Sequence, residues 1–199
     1  MDGGGFGLLS ILNYAHKLVQ QLVGPGDTVV DATAGNGGDT LFLARLVGHE
    51  GTVHAFDIQQ QAITATKQRL AQEQPDYSHV RLHLCSHAEL ESHVPEAAQR
   101  RIGAVMFNLG YLPGGDHQAV TTPSATIPAL QAAAASLRKG GILTIVLYTG
   151  HQGGEDEAAA VRAWAEQLPQ KQFQVLEYRF MNQRNHPPYL IAVEKLKLD

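Results

Sequence analysis

The chain has 199 residues, with 15 Lys+Arg against 19 Asp+Glu for a formal net charge of −4. That length buries one core of ordinary size without disulfides or metals, and 44% hydrophobic with 17% charged residues excludes a disordered chain or a charged coiled coil. The acidic balance argues against a broad grip on a nucleic-acid backbone, and the single cysteine, Cys85, against a disulfide framework or a cysteine-based zinc site.

Ten histidines raise a metal or acid–base reading. The first residues, Met-Asp-Gly-Gly-Gly-Phe-Gly, carry an acid where a signal peptide needs positive charge. No run approaches the roughly 18 apolar residues of a membrane span. The expectation is a cytoplasmic protein with no membrane partner.

Leu8, Leu9, Ile11, Leu12, Ala15, Leu18, Val19 and Leu22 recur at helical spacing and predict an amphipathic first helix, stopped by Gly24-Pro25-Gly26. Thr28 to Ala32 reads as a short buried strand entering a Gly/Asn-rich turn. Thr40 to Val47 reads as a helix with Asp39 as its cap. Thr52 to Phe56 predicts a second strand ending at Asp57, and Gln59 to Gln74 a polar-faced helix.

Val80, Leu82 and Leu84 alternate with Arg81 and His83, the pattern of a half-buried third strand. Ala104 to Phe107 is a fourth strand and Gly141 to Tyr148 a fifth. Between them lie a long loop and an alanine-rich helix from about Ser124 to Leu137. A helix over Glu155 to Leu168 follows, then Phe173 to Phe180 and Tyr189 to Glu194 as a terminal hairpin. Alternating strands and helices predict a single α/β domain over 1–199, doubly wound around a mostly parallel sheet, with an extra N-terminal helix and a C-terminal antiparallel hairpin.

In such sheets ligands bind beyond the carboxyl ends of the strands, so the residues after each strand carry the chemistry. The first strand is followed by Asp31-Ala32-Thr33-Ala34-Gly35-Asn36-Gly37-Gly38-Asp39-Thr40. Glycines there let backbone approach a ligand, and the next helix offers free N–H groups. Asp57 ends the second strand, where an acid can accept both hydroxyl hydrogens of a ribose. The plainer alternative is a tight turn, with Asp57 capping a helix.

A dinucleotide fingerprint needs a third glycine where Thr40 stands, and Asp31 would crowd a pyrophosphate. S-adenosyl-L-methionine (SAM) carries a sulfonium, an ammonium and no phosphate, so the electrostatics favour it. After the fourth strand come Asn108-Leu109-Gly110-Tyr111-Leu112-Pro113-Gly114-Gly115-Asp116-His117. An Asn carbonyl there can accept hydrogens from an amine and aim its lone pair at a methyl donor, while a Tyr stacks on a base. Tyr148-Thr149-Gly150-His151 and Asn182-Gln183-Arg184-Asn185-His186-Pro187-Pro188-Tyr189 supply further hydrogen-bonding loops.

Four of these segments occur together in a known order: Asp-Ala-Thr-Ala-Gly-Asn-Gly-Gly-Asp-Thr, Phe-Asn-Leu-Gly-Tyr-Leu-Pro-Gly-Gly-Asp, Tyr-Thr-Gly-His-Gln-Gly-Gly and Asn-His-Pro-Pro-Tyr. Over Leu8 to Lys195 the chain resembles the small class I methyltransferases labelled rRNA methylases, whose members are tRNA 5-(aminomethyl)-2-thiouridine methyltransferases. The resemblance implies a seven-stranded Rossmann-like sheet, SAM as methyl donor, and N-methylation of a wobble uridine in a tRNA anticodon loop.

By that resemblance Asp31, Gly35, Asn36, Gly37 and Asp39 surround the methionine moiety. Asp57 and Gln59 hold the ribose, and Ser86 and His87 lie by the adenine. Asn108 and Tyr111 take the catalytic, substrate-orienting position. Asp116, His117, Tyr148, His151, Arg184 and Asn185 are the substrate-side candidates, with Asp116, His117 and His151 able to take a proton. Thr33 stands where class I enzymes usually carry their first glycine, and Asn-Leu-Gly-Tyr replaces Asn-Pro-Pro-Tyr.

His79, His83 and His87 are four apart, but a strand through Leu84 separates them, so no metal site is expected. His16, His49, His54 and His93 read as surface or helix-face residues. From Lys171 onward five basic residues (Lys171, Arg179, Arg184, Lys195, Lys197) face three acids, a local excess suited to a short RNA contact. The first helix and the alanine-rich helix each offer a homodimer face. Rival readings are an NAD-dependent oxidoreductase, a non-catalytic SAM-binding RNA module, and a methylase of another RNA or a small amine.

Overall fold

In the computed structural model, which describes residues 7–73, 76–94, 101–110 and 121–197, seven strands form one sheet in the order β3-β2-β1-β4-β5-β7-β6. The strands are β1 (Thr28–Asp31), β2 (Thr52–Asp57), β3 (Val80–Leu84), β4 (Ile102–Leu109), β5 (Leu137–Leu147), β6 (Phe173–Tyr178) and β7 (Tyr189–Lys195). β7 runs antiparallel to both neighbours, and the other pairings are parallel. The predicted parallel sheet with a C-terminal antiparallel hairpin is therefore observed.

β1, β4 and β5 have buried, mostly apolar centres because both faces of the sheet are covered. One core packs Phe56, Phe107, Leu143 and Ile145 under α5 (Pro123–Ser136), which contributes Leu130, and α6 (Gly154–Glu166). The other packs Val29, Val53, Met106 and Val146 under α1 (Ile11–Leu22) and α2 (Gly38–Val47). α3 (Gln60–Gln72) covers β2 and β3, and a 3-10 turn at His87–Glu89 runs into the short α4 (Leu90–His93). Among the described residues no helix is long and apolar enough to cross a membrane.

Several boundaries differ from expectation for identifiable reasons. α1 begins at Ile11 because the Ser10 hydroxyl caps it, accepting from the Asn13 N–H at 3.3 Å. α2 begins at Gly38, with Gly37 at its cap in a left-handed conformation, so Asp39 lies in the first turn and not at the cap. Its carboxylate is thereby released for tertiary contacts. β4 and β5 extend beyond their apolar centres, with Arg138, Lys139 and the two glycines after them drawn into β5. The predicted helix end at Gln74 lies outside the described residues.

β3 is an edge strand, and its alternation is only partly honoured. Leu84 is exposed, whereas His83 stacks on Phe56 with ring centroids 4.6 Å apart. His54 is buried on β2 and shares a 3.1 Å hydrogen bond with His83, contrary to its reading as a surface residue. Burial, with the neighbouring His83, holds its pKa down at about 4. Lys195 is also buried, donating to the Ala134 and Ala135 carbonyls at the end of α5. It therefore drops out of the basic excess assigned to the C-terminal surface.

Candidate active site

Beyond the carboxyl ends of β1, β2 and β4 lies a cavity of about 590 Å³, within the range of small-ligand sites. Its floor is the turn between β1 and α2. Asp31 supports this turn from behind: Oδ1 accepts the Thr33 N–H at 3.1 Å and Oδ2 accepts the Thr40 hydroxyl at 2.6 Å. Its side chain is fully buried and does not line the cavity. Burial, reinforced by the Asp39 charge, raises its pKa from 3.8 to about 7.

Gly35 and Asn36 line the cavity, and Gly37 braces the turn without lining it. The Gly37 N–H donates to the Ala34 carbonyl at 2.8 Å, and the Thr66 hydroxyl to the Gly35 carbonyl at 3.1 Å. At φ +76° Gly37 adopts a conformation that side chains disfavour, and an added Cβ would lie 2.8 Å from Thr66 Cα.

Asp57 closes the turn from β2. Oδ2 accepts the Gly35 N–H at 3.0 Å and Oδ1 the Gln59 N–H at 2.9 Å, and both Asp57 and Gln59 reach the cavity. Ser86 caps the 3-10 turn in a reciprocal arrangement with Glu89. His87 is buried edge-to-face on Phe107 at 5.5 Å, its pKa lowered by burial and its Nε2 without a hydrogen bond among the described residues. A neutral imidazole on the cavity wall is thus available to a ligand.

Asn108 enters from the end of β4. Its backbone N–H donates to the Thr33 hydroxyl at 2.7 Å, so the threonine in place of the usual glycine ties β4 to the β1 turn. Its Nδ2 donates to Asp39 Oδ2 at 2.7 Å. A carboxylate only accepts, so this contact assigns the amide orientation. The Asn108 Oδ1 is left buried with no partner among the described residues. An unmet buried acceptor costs about 1–3 kcal/mol and is a place for a ligand donor.

Tyr148, Gly150 and His151 form the wall after β5, and Thr121, Thr122 and Ala125 the wall at α5. Leu12 of α1 and His186 of the β6–β7 loop complete the lining, and neither was among the expected site residues. Asn185 and His186 have φ of +66° and +51°. Two successive left-handed residues bend the tip over the cavity at a conformational cost of order 1 kcal/mol each. Arg184 and Asn185 are exposed and do not line it. Tyr111, Asp116 and His117 lie outside the described residues.

Away from the cavity, Cys85, Glu89 and His93 each bring one ligand atom to within 4.8 Å of the others. The sequence reading, which argued against a cysteine-based zinc site from the single cysteine, did not foresee this grouping of Cys85 with Glu89 and His93. α4 makes it by turning the chain back beside β3, which residue spacing did not reveal.

No Lys or Arg lines the cavity among the described residues, while Asp39 and Asp57 do. This charge pattern disfavours a pyrophosphate and suits a cationic nucleoside. The sheet order, glycine turn and strand-end acid define a SAM-dependent methyltransferase. The family model described as "Putative rRNA methylase" matches residues 53–194, and the chain belongs to that family.

The chain is 42% identical to a crystal structure titled a putative rRNA methylase from Clostridium thermocellum, covering 96% of this chain and 100% of that one at a TM-score of 0.90. A methyltransferase from Streptococcus mutans, solved in complex with SAH, is 35% identical over 96% of this chain and 100% of that one, at a TM-score of 0.85. A chloroplastic tRNA (mnm(5)s(2)U34)-methyltransferase of Arabidopsis thaliana is 38% identical over 197 residues, which is 96% of this chain and 71% of the relative.

Proposed function

We propose that the protein transfers a methyl group from SAM to the aminomethyl nitrogen of 5-(aminomethyl)-2-thiouridine at the wobble position of tRNA, in the cytoplasm. The observation that carries the reading is the Oδ1 of Asn108, buried on the cavity wall with no partner among the described residues. The name of the Arabidopsis relative supports the choice of substrate.

The bound cofactor supplies an electrophilic methyl on a sulfonium. The residues that would hold it are Gly35, Asn36 and Asp39 around the amino-acid end, Asp57 and Gln59 at the ribose, and Ser86 and His87 at the adenine. Asn108 Oδ1 accepts one N–H of the substrate amine and turns the nitrogen lone pair toward the methyl. Orientation is the main requirement for an in-line displacement and is worth up to ~7–11 kcal/mol. The amine must lose a proton to attack, and desolvation in the cavity favours its neutral form.

Tyr148, His151 and His186 offer the flat and hydrogen-bonding groups that a flipped base needs. A single extruded nucleotide also matches a protein of net charge −4, since few phosphates need contact. The test is nucleoside mass spectrometry of tRNA from a strain lacking the gene, before and after incubation with the protein and SAM. Accumulated 5-(aminomethyl)-2-thiouridine that gains one methyl supports the proposal. Unmethylated product despite measurable cofactor binding refutes it.

A further inference from the structure

The polar chain around Asp39 continues past Asn108 to a residue that the expected site did not include. His16 Nε2 lies 2.7 Å from Asp39 Oδ1, while Asp39 Oδ2 accepts from Asn108 Nδ2 at 2.7 Å. Both partners of Asp39 must therefore donate, which places a proton on His16 Nε2. The two short contacts to a carboxylate are charge-assisted and directional. Asp39 is well covered, with its side chain 13% exposed.

His16 is in turn held on two sides. Its ring stacks on Phe42 of α2 at 3.9 Å and 3°. α1 packs against β5, β7 and β4 through Ile11, Ala15 and Val19. The Tyr178 hydroxyl anchors the start of that helix by donating to the Leu9 carbonyl at 2.9 Å, and the Tyr14 and Tyr178 rings lie 4.3 Å apart. The helix that precedes the sheet thus delivers a hydrogen-bond donor to the floor of the active site.

We propose that His16 is a positioning residue for methyl transfer: it clamps Asp39 so that the Asn108 amide can face the substrate amine only with its carbonyl oxygen. An asparagine side chain has two ends of nearly equal shape and opposite polarity. Flipped, Asn108 would point an N–H at the amine and compete for its lone pair. The Asp39 carboxylate forbids the flip by accepting from Nδ2, provided the carboxylate itself is fixed. His16 fixes it. Without that donor Asp39 is free to rotate about its terminal torsion, a soft two-fold rotation, and the amide loses its enforced polarity.

The inference rests on the amine-orienting reading of Asn108, and the experiment separates the two. His16→Phe keeps a ring against Phe42 and removes the donor, whereas His16→Gln restores a side-chain N–H near the Nε2 position. For each, and for Asn108→Ala, SAH affinity is measured by calorimetry, melting temperature by thermal denaturation, and kcat and KM with tRNA bearing the free aminomethyl group. Loss of one charge-assisted hydrogen bond predicts a fall in kcat on the order of ten- to a hundredfold for His16→Phe. KM for tRNA stays near wild type, SAH affinity falls by much less than kcat because Asp39 is only one of the residues expected around the amino-acid end, and His16→Gln recovers most of kcat. In the Asn108→Ala background His16→Phe causes no further loss.

Wild-type kcat in His16→Phe, with Asn108→Ala inactive, overturns the clamp alone. Equal loss of kcat in His16→Gln and His16→Phe, each with a lowered melting temperature, assigns His16 to packing and also overturns it. Wild-type turnover by Asn108→Ala overturns the amine-orienting reading itself.

Discussion

Asp39 Oδ2 accepts the Asn108 Nδ2–H at 2.7 Å, joining the first turn of α2 to the carboxyl end of β4. This one hydrogen bond commits the Nδ2 end of the amide to Asp39, and the proposed function needs the Oδ1 end for the substrate amine. Replacing Asn108 by Ala should therefore lower kcat on the order of a hundredfold or more, with SAH affinity changed less than about threefold. Single-turnover methyl transfer and calorimetry measure the two quantities. Parallel loss of both would place Asn108 in cofactor binding.

Asp57 bridges the β1 turn and the start of α3 through Gly35 and Gln59. Asp57→Ala leaves two backbone donors without this acceptor and removes the expected ribose contact. The loss should reduce stability by about 1–3 kcal/mol and weaken SAH binding more than about tenfold. Denaturant unfolding with and without SAH separates these effects, because the ligand-dependent stabilisation should shrink with the affinity.

Asp31 makes stability depend on pH in a direction opposite to that of an ordinary carboxylate. Its folded pKa of about 7 is raised above the ordinary carboxylate value of 3.8. The folded state holds this proton more tightly, so the contribution to stability is fully present below about pH 3.8 and is lost as pH rises through about 7. Asp31→Asn removes that titration while keeping an acceptor for Thr33 or Thr40. The melting temperature of the variant relative to wild type should climb between pH 5 and about pH 8. A constant difference across that range would show that Asp31 does not titrate there.

Gly37→Ala tests the floor of the cavity. The left-handed φ and the 2.8 Å approach to Thr66 Cα leave no room for a methyl group without moving the turn or α3. A loss of about 2 kcal/mol or more follows from strain and overlap together, along with weaker SAH binding. Gly38→Ala has open space at the same turn and should be near neutral in stability.

His186 meets Glu155 at 3.2 Å, with both side chains more than half exposed. So exposed a contact should contribute little to stability. The position of His186 at the cavity instead predicts that His186→Ala raises KM for tRNA by about fivefold with SAH affinity unchanged. A steady-state series in tRNA concentration gives the result.

Much of this molecule is legible in residue order because its information is local. Periodicity placed every strand and the longer helices, and the strand-end positions of Asp31, Asp57 and Asn108 followed from where each apolar run stopped. The missing third glycine at Thr40 and the acid Asp31 after β1 pointed to a nucleoside without phosphate, although Asp31 itself is buried behind the turn and the acids that line the cavity are Asp39 and Asp57. The family resemblance put His87 by the adenine and the structure finds it on the cavity wall, although its burial was not legible in the sequence.

What residue order could not show lies in contacts between distant segments. His16 looked like a helix-face histidine, since nothing in α1 reveals that residue 39 will face it across α2. Asp39 looked like a helix cap, because its actual partners come from residues 16 and 108. Asp31 and Asp57 have the same side chain at the same kind of strand end. Packing buries the first behind the turn and opens the second to the cavity. Leu12 and His186 reach the lining only because α1 and the β6–β7 loop fold over the same end of the sheet. Sequence determined the sheet, the glycine turn and the class of cofactor, because these depend on local periodicity, backbone conformation and charge. Only the tertiary structure decided which carboxylate braces the turn from behind and which one lines the cavity, and which end of the Asn108 amide pairs with Asp39, because those properties belong to pairs of residues tens of positions apart.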